Sequence, residues 1–526
     1  MAGLSIVAKK NKQKIEILPE AEKLYAEYEQ DRSRFIDEAK QCAALTIPSL
    51  MPDNKTEFTE LERPYTNLGT KGVKNLAGKL MMALFPPNVP FFSFNLTQET
   101  IDGVQGDQDA IDEFKDLLLG TEQLVKKEML NKNRDVLEEA VQHILVCGNV
   151  LLQYTGEKLK LYTLDEYCVL RDAEGEVVDI VIKETFLLRA LPDELRAKIV
   201  EIIVSEGNDP TKDDIEVEIY THSKRKDGRF YLYQQYKSFM LGEKPIIYEP
   251  EENIFLPLRY THVSKESYGH SHVSHIIDDL STLNNYCKAL RRYAAAAAKL
   301  IYLVDPTGLT DVDEVSNAEG GRAVNGREKD ISLLKLDKHA DFSIILSRSQ
   351  SLEESLSNDF LLHKVRNAER VTAFEVRMKA AELQQALGGF YSVIAKDLQA
   401  KLVNIVYQSL KREKKVPELY LDKSVTLDID SGIDGLGRNE ELQKIDVFLG
   451  SLQQNLGPDI LATINKSELI RRYAHALNLD IKGLLKSEEE VQQEQAQGMQ
   501  NHVMAQAMPD IAKQAAKVQL EAAQQQ

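Results

Sequence analysis

The stretch His270-Ser-His-Val-Ser-His-Ile-Ile-Asp-Asp-Leu-Ser-Thr-Leu-Asn-Asn-Tyr-Cys-Lys-Ala-Leu-Arg-Arg-Tyr-Ala-Ala-Ala-Ala-Ala-Lys-Leu300 holds two interleaved seven-residue apolar series. Val273, Leu280, Cys287 and Ala294 make one, and Ile276, Leu283, Leu290 and Ala297 the other. A 3.5-residue period is a seam for packing helix on helix. A continuous helix over this stretch would span roughly 46 Å at about 1.5 Å per residue. Its outer faces carry Lys288, Arg291, Arg292 and Lys299 in a chain that is otherwise acidic. A narrow seam with a local cationic cluster suggests subunits arranged in a ring around something anionic.

Beyond this helix, Ile301 to Phe342 reads as a small α/β excursion at its tip. It opens on Ile301-Tyr-Leu-Val304, turns at Asp305-Pro306, and returns on Ile331-Ser-Leu-Leu-Lys-Leu336. A second helix is expected over about 347–368, with Leu352, Leu356 and Phe360 on its buried side. Lys364, Arg366 and Arg370 then form a basic elbow ahead of Thr372-Ala-Phe-Glu375, whose spacing fits a capping box. The third helix is expected to run to Arg412, with Gly388-Gly389 as a place to kink.

Upstream, Ala21 to Ala44 is a charged amphipathic helix closed by Ile47-Pro48. A second helix runs from about Asn67 to Leu84, stopped by Phe85-Pro86-Pro87, because proline cannot continue a helix. Thr121 to Val146 reads as a third helical segment. After Gly148 the apolar period switches to two. Val150 to Tyr154, Leu159 to Tyr162, Val177 to Glu184, Ile215 to His222 and Gly228 to Tyr236 read as antiparallel strands, with a turn at Asp172-Ala-Glu-Gly175. The fold class is α+β, mainly α. The tail from Ser487 is rich in Gln, Ala and Met and short of apolar surface, so it is helical only by assembling with copies of itself.

Composition bounds the function. A chain of 526 residues is too long for one hydrophobic core, and 43% hydrophobic with 28% charged residues is globular. Lys plus Arg number 65 against 83 Asp plus Glu, a formal net charge of −18. That total argues against a general nucleic-acid coat, which needs cationic surface. It is compatible with a pore through which a polyanion slides without sticking. Cys42, Cys147, Cys168 and Cys287 are far apart with no CxxC, which points to reduced thiols. Lys9, Lys10, Lys12 and Lys14 interrupt the first residues, arguing against a secretory signal. Tyr293 to Val304 is too short, and too broken by Lys299, to span a membrane.

Six strings taken together resemble the portal, or head-to-tail connector, proteins of T7-like short-tailed bacteriophages. They are Cys42-Ala-Ala-Leu-Thr-Ile-Pro-Ser-Leu-Met-Pro52, Asn75-Leu-Ala-Gly-Lys-Leu-Met-Met-Ala-Leu-Phe-Pro86, Gly148-Asn-Val-Leu-Leu152, Glu266-Ser-Tyr-Gly-His270, Glu369-Arg-Val-Thr-Ala373 and Leu387-Gly-Gly-Phe-Tyr-Ser392. The resemblance implies a ring, usually of twelve subunits, at one vertex of the viral head. It implies a virion component assembled in the host cytoplasm, through whose channel DNA enters and leaves. It implies a wing (1–265 and 372–435), two stem helices (266–300 and 346–371, the latter ending in the tunnel elbow), a clip (301–345) and a crown with its tail (436–526). The implied partners are copies of itself, double-stranded DNA passing without sequence specificity, the terminase packaging motor, a tail adaptor, and capsid and scaffolding proteins. Lys364, Arg366 and Arg370 are the first candidates to touch DNA in the channel, and Lys288, Arg291, Arg292 and Lys299 the second. The competing reading makes these cations solvated helix faces or inter-subunit ion pairs.

Other functions fit less well. His262, His270, His272 and His275 cluster, and such spacing can ligate zinc, but no matching acidic base or second ligand cluster accompanies them. Asp428-x-Asp430 departs from a calcium loop, with Ile433 where Gly belongs and Asn439 where Glu belongs. No GxxxxGK[ST] loop is present, so no ATP hydrolysis, no cofactor and no enzymatic activity are expected. The remaining alternative is another ring-forming virion protein, such as a tail adaptor or internal core protein.

Overall fold

A computed structural model describes residues 20–52, 61–86, 91–97, 100, 108–207, 215–297, 302–308, 310–317, 324–333, 339–362, 394–416, 425–429, 447–452 and 469. One compact unit comprises Met1–Pro87 and Phe91–Gly435, and a second comprises Asn88–Pro90 and Leu436–Gln526. Within the second, residues 447–452 are helical. The rest of the description concerns the first unit, which is α+β.

Helix α1 (Ala21–Leu45) and helix α2 (Leu68–Leu84) lie where the sequence places them. Val73, Leu76, Ala77, Leu80 and Leu84 of α2 are fully buried. Strand β1 (Phe92–Leu96) follows, and then two helices stand where one was expected, α3 (Gln108–Asn131) and α4 (Arg134–Cys147). The break falls at Asn133, whose buried amide donates to Met129 O at 3.1 Å and accepts from Leu159 N at 2.7 Å. Asparagine competes with the helix for backbone hydrogen bonds, and here it holds a strand end instead. Helix α4 ends at Gly148, whose φ is +74° and where an added Cβ would lie 2.6 Å from Gly269 O. Only glycine fits that turn from helix to strand.

Strand β2 (Asn149–Tyr154) is the middle of a three-stranded antiparallel sheet, between β3 (Leu159–Tyr162) and a later strand, β10. A larger antiparallel sheet starts with β4 (Tyr167–Arg171) and β5 (Val177–Leu187), joined by the expected turn. There Asp172 Oδ1 accepts from Glu174 N and Glu176 N, and Gly175 has φ +86°. Helix α5 (Asp193–Ser205) interrupts the strand region, where the sequence pattern had pointed only to strands; its Ile199 and Ile203 pack with Val217 and Ile219. Strands β6 (Glu216–Lys226), β7 (Arg229–Tyr236), β8 (Phe239–Met240) and β9 (Ile246–Tyr248) complete the sheet in the order β4-β5-β6-β7-β8, with β9 also on β7. Strand β10 (Phe255–Arg259) returns to β2.

Helix α1 is fastened to the larger sheet by polar contacts. Arg32, 1% exposed, donates to Tyr167 O at 2.7 Å, Asp165 O at 3.1 Å and Tyr25 Oη at 3.0 Å. Further along, Tyr28 Oη donates to Asp179 Oδ2, whose other oxygen lies 3.1 Å from buried His222 Nε2, and His222 Nδ1 meets the Tyr233 hydroxyl. Buried polar groups are tolerated when their partners are present, and this seam supplies them for the groups named, Arg32 Nε alone lacking one.

A 3₁₀ turn (Val273–Ile276) leads into helix α6 (Ile277–Ala297), so the α-helix starts later than His270. Strands β11 (Tyr302–Val304) and β12 (Ile331–Leu333) pair antiparallel, with helix α7 (Val312–Ser316) between them, capped by Asp311. Helix α8 (His339–Asp359) starts earlier and stops earlier than the expected 347–368. Contacts between α6 and α8 run in opposite directions. His272 meets Asp359 and Phe360, Cys287 meets Ser349, and Tyr293 stacks on Phe342 at 3.6 Å. The two therefore form an antiparallel helical hairpin with the β11–β12 module at its far tip.

A π-helical turn (Ala395–Ala400) runs into helix α9 (Lys401–Arg412), the described part of the expected third long helix. The capping box at 372–375, Gly388-Gly389 and the tail lie outside the described residues. Strand β13 (Val425–Ile429) pairs with β1, so Asp428 sits in a β-ladder opposite Ser93.

Candidate functional site: the helical hairpin and its base

The apolar seam of α6 is buried at one end only. Val273, Leu280 and Leu283 are buried, Cys287 and Leu290 are half-buried, and Ala294 is exposed. The hairpin is thus rooted in the core at its base and open toward its tip. Among the candidate cations, Lys288 Nζ lies 5.3 Å and the Arg291 guanidinium 5.7 Å from the centre of the Tyr65 ring. Tyr65 is held there by its backbone N–H, which donates to Asn284 Oδ1 at 2.6 Å. The ring quadrupole attracts both charges, by roughly 0.5–1 kcal/mol each at an exposed site. Arg292 is exposed. Lys299, Lys364, Arg366 and Arg370 lie outside the described residues.

The base of the hairpin is the most constrained place nearby. Helix α8 ends with Leu361 N–H donating to Asn358 O at 2.9 Å and Leu362 N–H to Ser357 O at 2.7 Å. This is the Schellman pattern, which calls for a left-handed residue usually filled by glycine. Leu361 fills it, with φ +52°. The strain, about 1–2 kcal/mol, is held because Phe360 and Leu361 are buried in the core. Helix α2 meets this end with three residues on one face. Gly72 leaves room for the Phe360 ring, which an added Cβ would penetrate. Asn75 Nδ2 donates to Phe360 O at 3.2 Å and Leu361 O at 3.1 Å. Lys79, 8% exposed, donates from Nζ to Leu361 O at 2.9 Å. A cation at a helix C-terminus also meets the negative end of the macrodipole. On the other side, Asp359 O accepts from His272 Nε2 at 3.3 Å, so the Nδ1 of that ring accepts from Tyr260 Oη at 3.0 Å.

His270, His272 and His275 go to separate partners. His270 lies between Glu38 (3.1 Å) and Glu266 (3.3 Å), and His275 Nε2 is 3.5 Å from Thr261 Oγ1. Burial pushes His272 down to about 4, partly countered by the Asp359 carbonyl. Burial, aided by Arg259, lowers His262 as well. Among the described residues, no three His, Cys, Asp or Glu side chains converge as a metal site. Cys42, Cys147 and Cys168 are buried and unbridged. No helix among the described residues is long and apolar enough to cross a membrane.

Among the described residues the arrangement is an anchored helical hairpin with a module at its tip. The signature of a family described as bacteriophage head to tail connecting protein matches residues 18–485. The chain belongs to that family. This head-to-tail connector is similar to the portal protein of Escherichia phage T7, 32% identical over 506 residues and covering 92% of both chains. It is similar to that of Enterobacteria phage SP6 at 28% identity, covering 94% of this chain and 96% of the other. A chain in a solved gene transfer agent virion aligns at 11% identity over 76% of this chain and 90% of its own, with a TM-score of 0.36, a likeness too loose to bear on the fold. The connector is a T7-like portal protein, a structural and non-enzymatic virion component at the capsid vertex. It joins head to tail.

Two residues that matter at the hairpin base, Asn75 and Lys79, went unassigned in the sequence although they sit inside a string that carries the family resemblance. The available signal was their four-residue spacing in line with Leu68 and Gly72, whereas Lys71 and Lys74 fall on the exposed side of the helix. Polar groups one turn apart on a buried face need a partner.

Proposed function

We propose that the connector assembles as a ring of twelve subunits at one capsid vertex, with an axial channel through which double-stranded DNA is packaged and ejected. The observation that carries this reading is the family match over residues 18–485. The helical hairpin with its tip module supports it. In this reading α6 and α8 are the stem, β11, α7 and β12 belong to the clip that docks terminase and later the tail adaptor, and 436–526 form the crown. Residues 1–265 and 372–435 form the wing, in contact with capsid and scaffolding proteins. Assembly takes place in the host cytoplasm.

Each copy adds a formal −18 to the ring. An acidic channel repels a duplex carrying about one phosphate per 1.7 Å and keeps it centred. In cyclic symmetry each lysine or arginine becomes a ring of charges. Lys364, Arg366 and Arg370 are the first candidates to touch phosphates. Of the stem cations, Arg292 is better placed than Lys288 and Arg291, which are turned toward Tyr65. Negative-stain class averages of the purified protein test this. Rings of twelve with a hole that admits duplex DNA support it, and a stable monomer or solid particle overturns it.

A further inference from the structure

The stretch from 363 to 393 carries all three first-rank channel candidates and is flanked by two described ends, Leu362 and Ile394. Both ends are fastened to the same helix. At the near end, Asn75 and Lys79 of α2 hold the carbonyls of Phe360 and Leu361, and Gly72 admits the Phe360 ring. At the far end, Gln399 in the π-helical turn is fully buried and donates its amide to Leu84 O, the last carbonyl of α2. A π-turn adds a residue to the helix and re-aims the side chains beside it, and such turns are frequent at functional positions. Here it directs a buried glutamine, among Leu398, Leu402 and Val403, onto the end of another helix. From Lys79 to Leu84 is five residues, about 7.5 Å along the axis.

We propose that α2 is a two-ended clamp, with Asn75, Lys79 and Gln399 as positioning residues. The clamp fixes where the chain leaves the hairpin at Leu361 and where its described course resumes, from Ile394 to Gln399. Any consequence for the channel rests on the proposed function; the clamp does not. A rigid helix of 17 residues is the physical link between the ends. The near end uses amide and charge-assisted hydrogen bonds to the two carbonyls just past α8, and the far end a buried amide bond to the last carbonyl of α2; such bonds fix geometry most firmly.

The test uses the assembled full-length protein and amide hydrogen exchange. Gln399→Leu removes the far-end bond and leaves the near end untouched. The clamp requires that exchange at the Leu361 and Leu362 amides then rise at least tenfold, with Val150 to Leu152 unchanged. Conversely, Lys79→Met must speed exchange at Phe85, whose N–H bonds Met81 O at the far end of α2. Changes confined to the end that carries the substitution mean two independent contacts and overturn the clamp. Should either variant fail to form rings, the pair Lys79→Arg and Gln399→Glu replaces them, with the same two readouts. The length of DNA packaged by rings with Lys79→Met decides the functional half. A shift in packaged length ties the clamp to the channel. Unchanged packaging with coupled exchange removes that link while leaving the clamp in place, and a particle without a channel fails the proposed function instead.

Discussion

Gly148 shows how a single position can be fixed twice over. Its φ of +74° lies in the left-handed region, and an added Cβ would lie 2.6 Å from Gly269 O and 2.8 Å from His270 C. Gly156, at φ +98°, has open space around its Cβ position. Gly156→Ala therefore bears only the backbone strain, about 1–2 kcal/mol, whereas Gly148→Ala adds overpacking of about 1–3 kcal/mol. Urea melts should place Gly148→Ala well below Gly156→Ala. At Leu361 two effects oppose each other. Glycine there would relieve about 1–2 kcal/mol of left-handed strain but would empty a buried leucine site, a loss of about 2–5 kcal/mol. The lost burial outweighs the relieved strain, so Leu361→Gly should lower the melting temperature despite the better turn residue. His272 gives a pH dependence. Burial holds it at about 4 in the fold, below its ordinary 6.5, so the unfolded chain binds the extra proton between those values. Its contribution is complete above about 6.5 and is lost as pH falls toward 4. The drop in melting temperature between pH 7 and pH 5 should be smaller in His272→Gln than in the unaltered protein.

At the scale of elements, periodicity located helices well and their ends less well. Both apolar series ran on through Ala294 and Ala297, yet the seam is buried only in the half near Leu280 and Leu283. Alanine marks proximity to something without saying whether it belongs to the same chain. Helix α8 stops at Asp359, where Leu361 and Leu362 N–H close on its last turn and Asn75 and Lys79 of α2 hold the two carbonyls that follow, and no residue within 362–368 announces that stop. The α3–α4 break has one residue behind it. Asn133→Ala removes the partner of the buried Leu159 N–H, and an orphaned buried donor costs about 1–3 kcal/mol. The loss should appear in chemical melts with its largest exchange increase at Leu159. A variant in which only the Met129 end loosened would show that the strand contact was unimportant.

At the scale of the whole molecule, an acidic chain with a few cationic positions suits a conduit better than a binder. Neutralising Lys364, Arg366 and Arg370 together should leave rings intact while changing the length of DNA packaged or its retention. Packaging identical to that of the unaltered ring would remove those residues from the channel. The same substitution made at Lys288 and Arg291 is expected to disturb the packing of Tyr65 first, since both cations face its ring.

Much of this protein was legible as sequence. Helices α1 and α2, the period-two strands after Gly148, the Asp172 to Gly175 turn, the module between Tyr302 and Leu333 and the family itself follow from residues a few positions apart. Local patterns suffice there because helix and strand periods, proline stops and glycine turns act over a single turn or pleat. Tertiary structure alone decided the rest. Helix α5 forms among strands because Ile199 and Ile203 find a sheet to cover. Strand β1 exists because β13, which pairs Asn95 with Thr426, reaches it from far along the chain. The end of α8 depends on Asn75, 285 residues from the carbonyl it holds. A buried carbonyl needs a donor but does not specify which part of the chain supplies it, so those partners are fixed only when the chain folds.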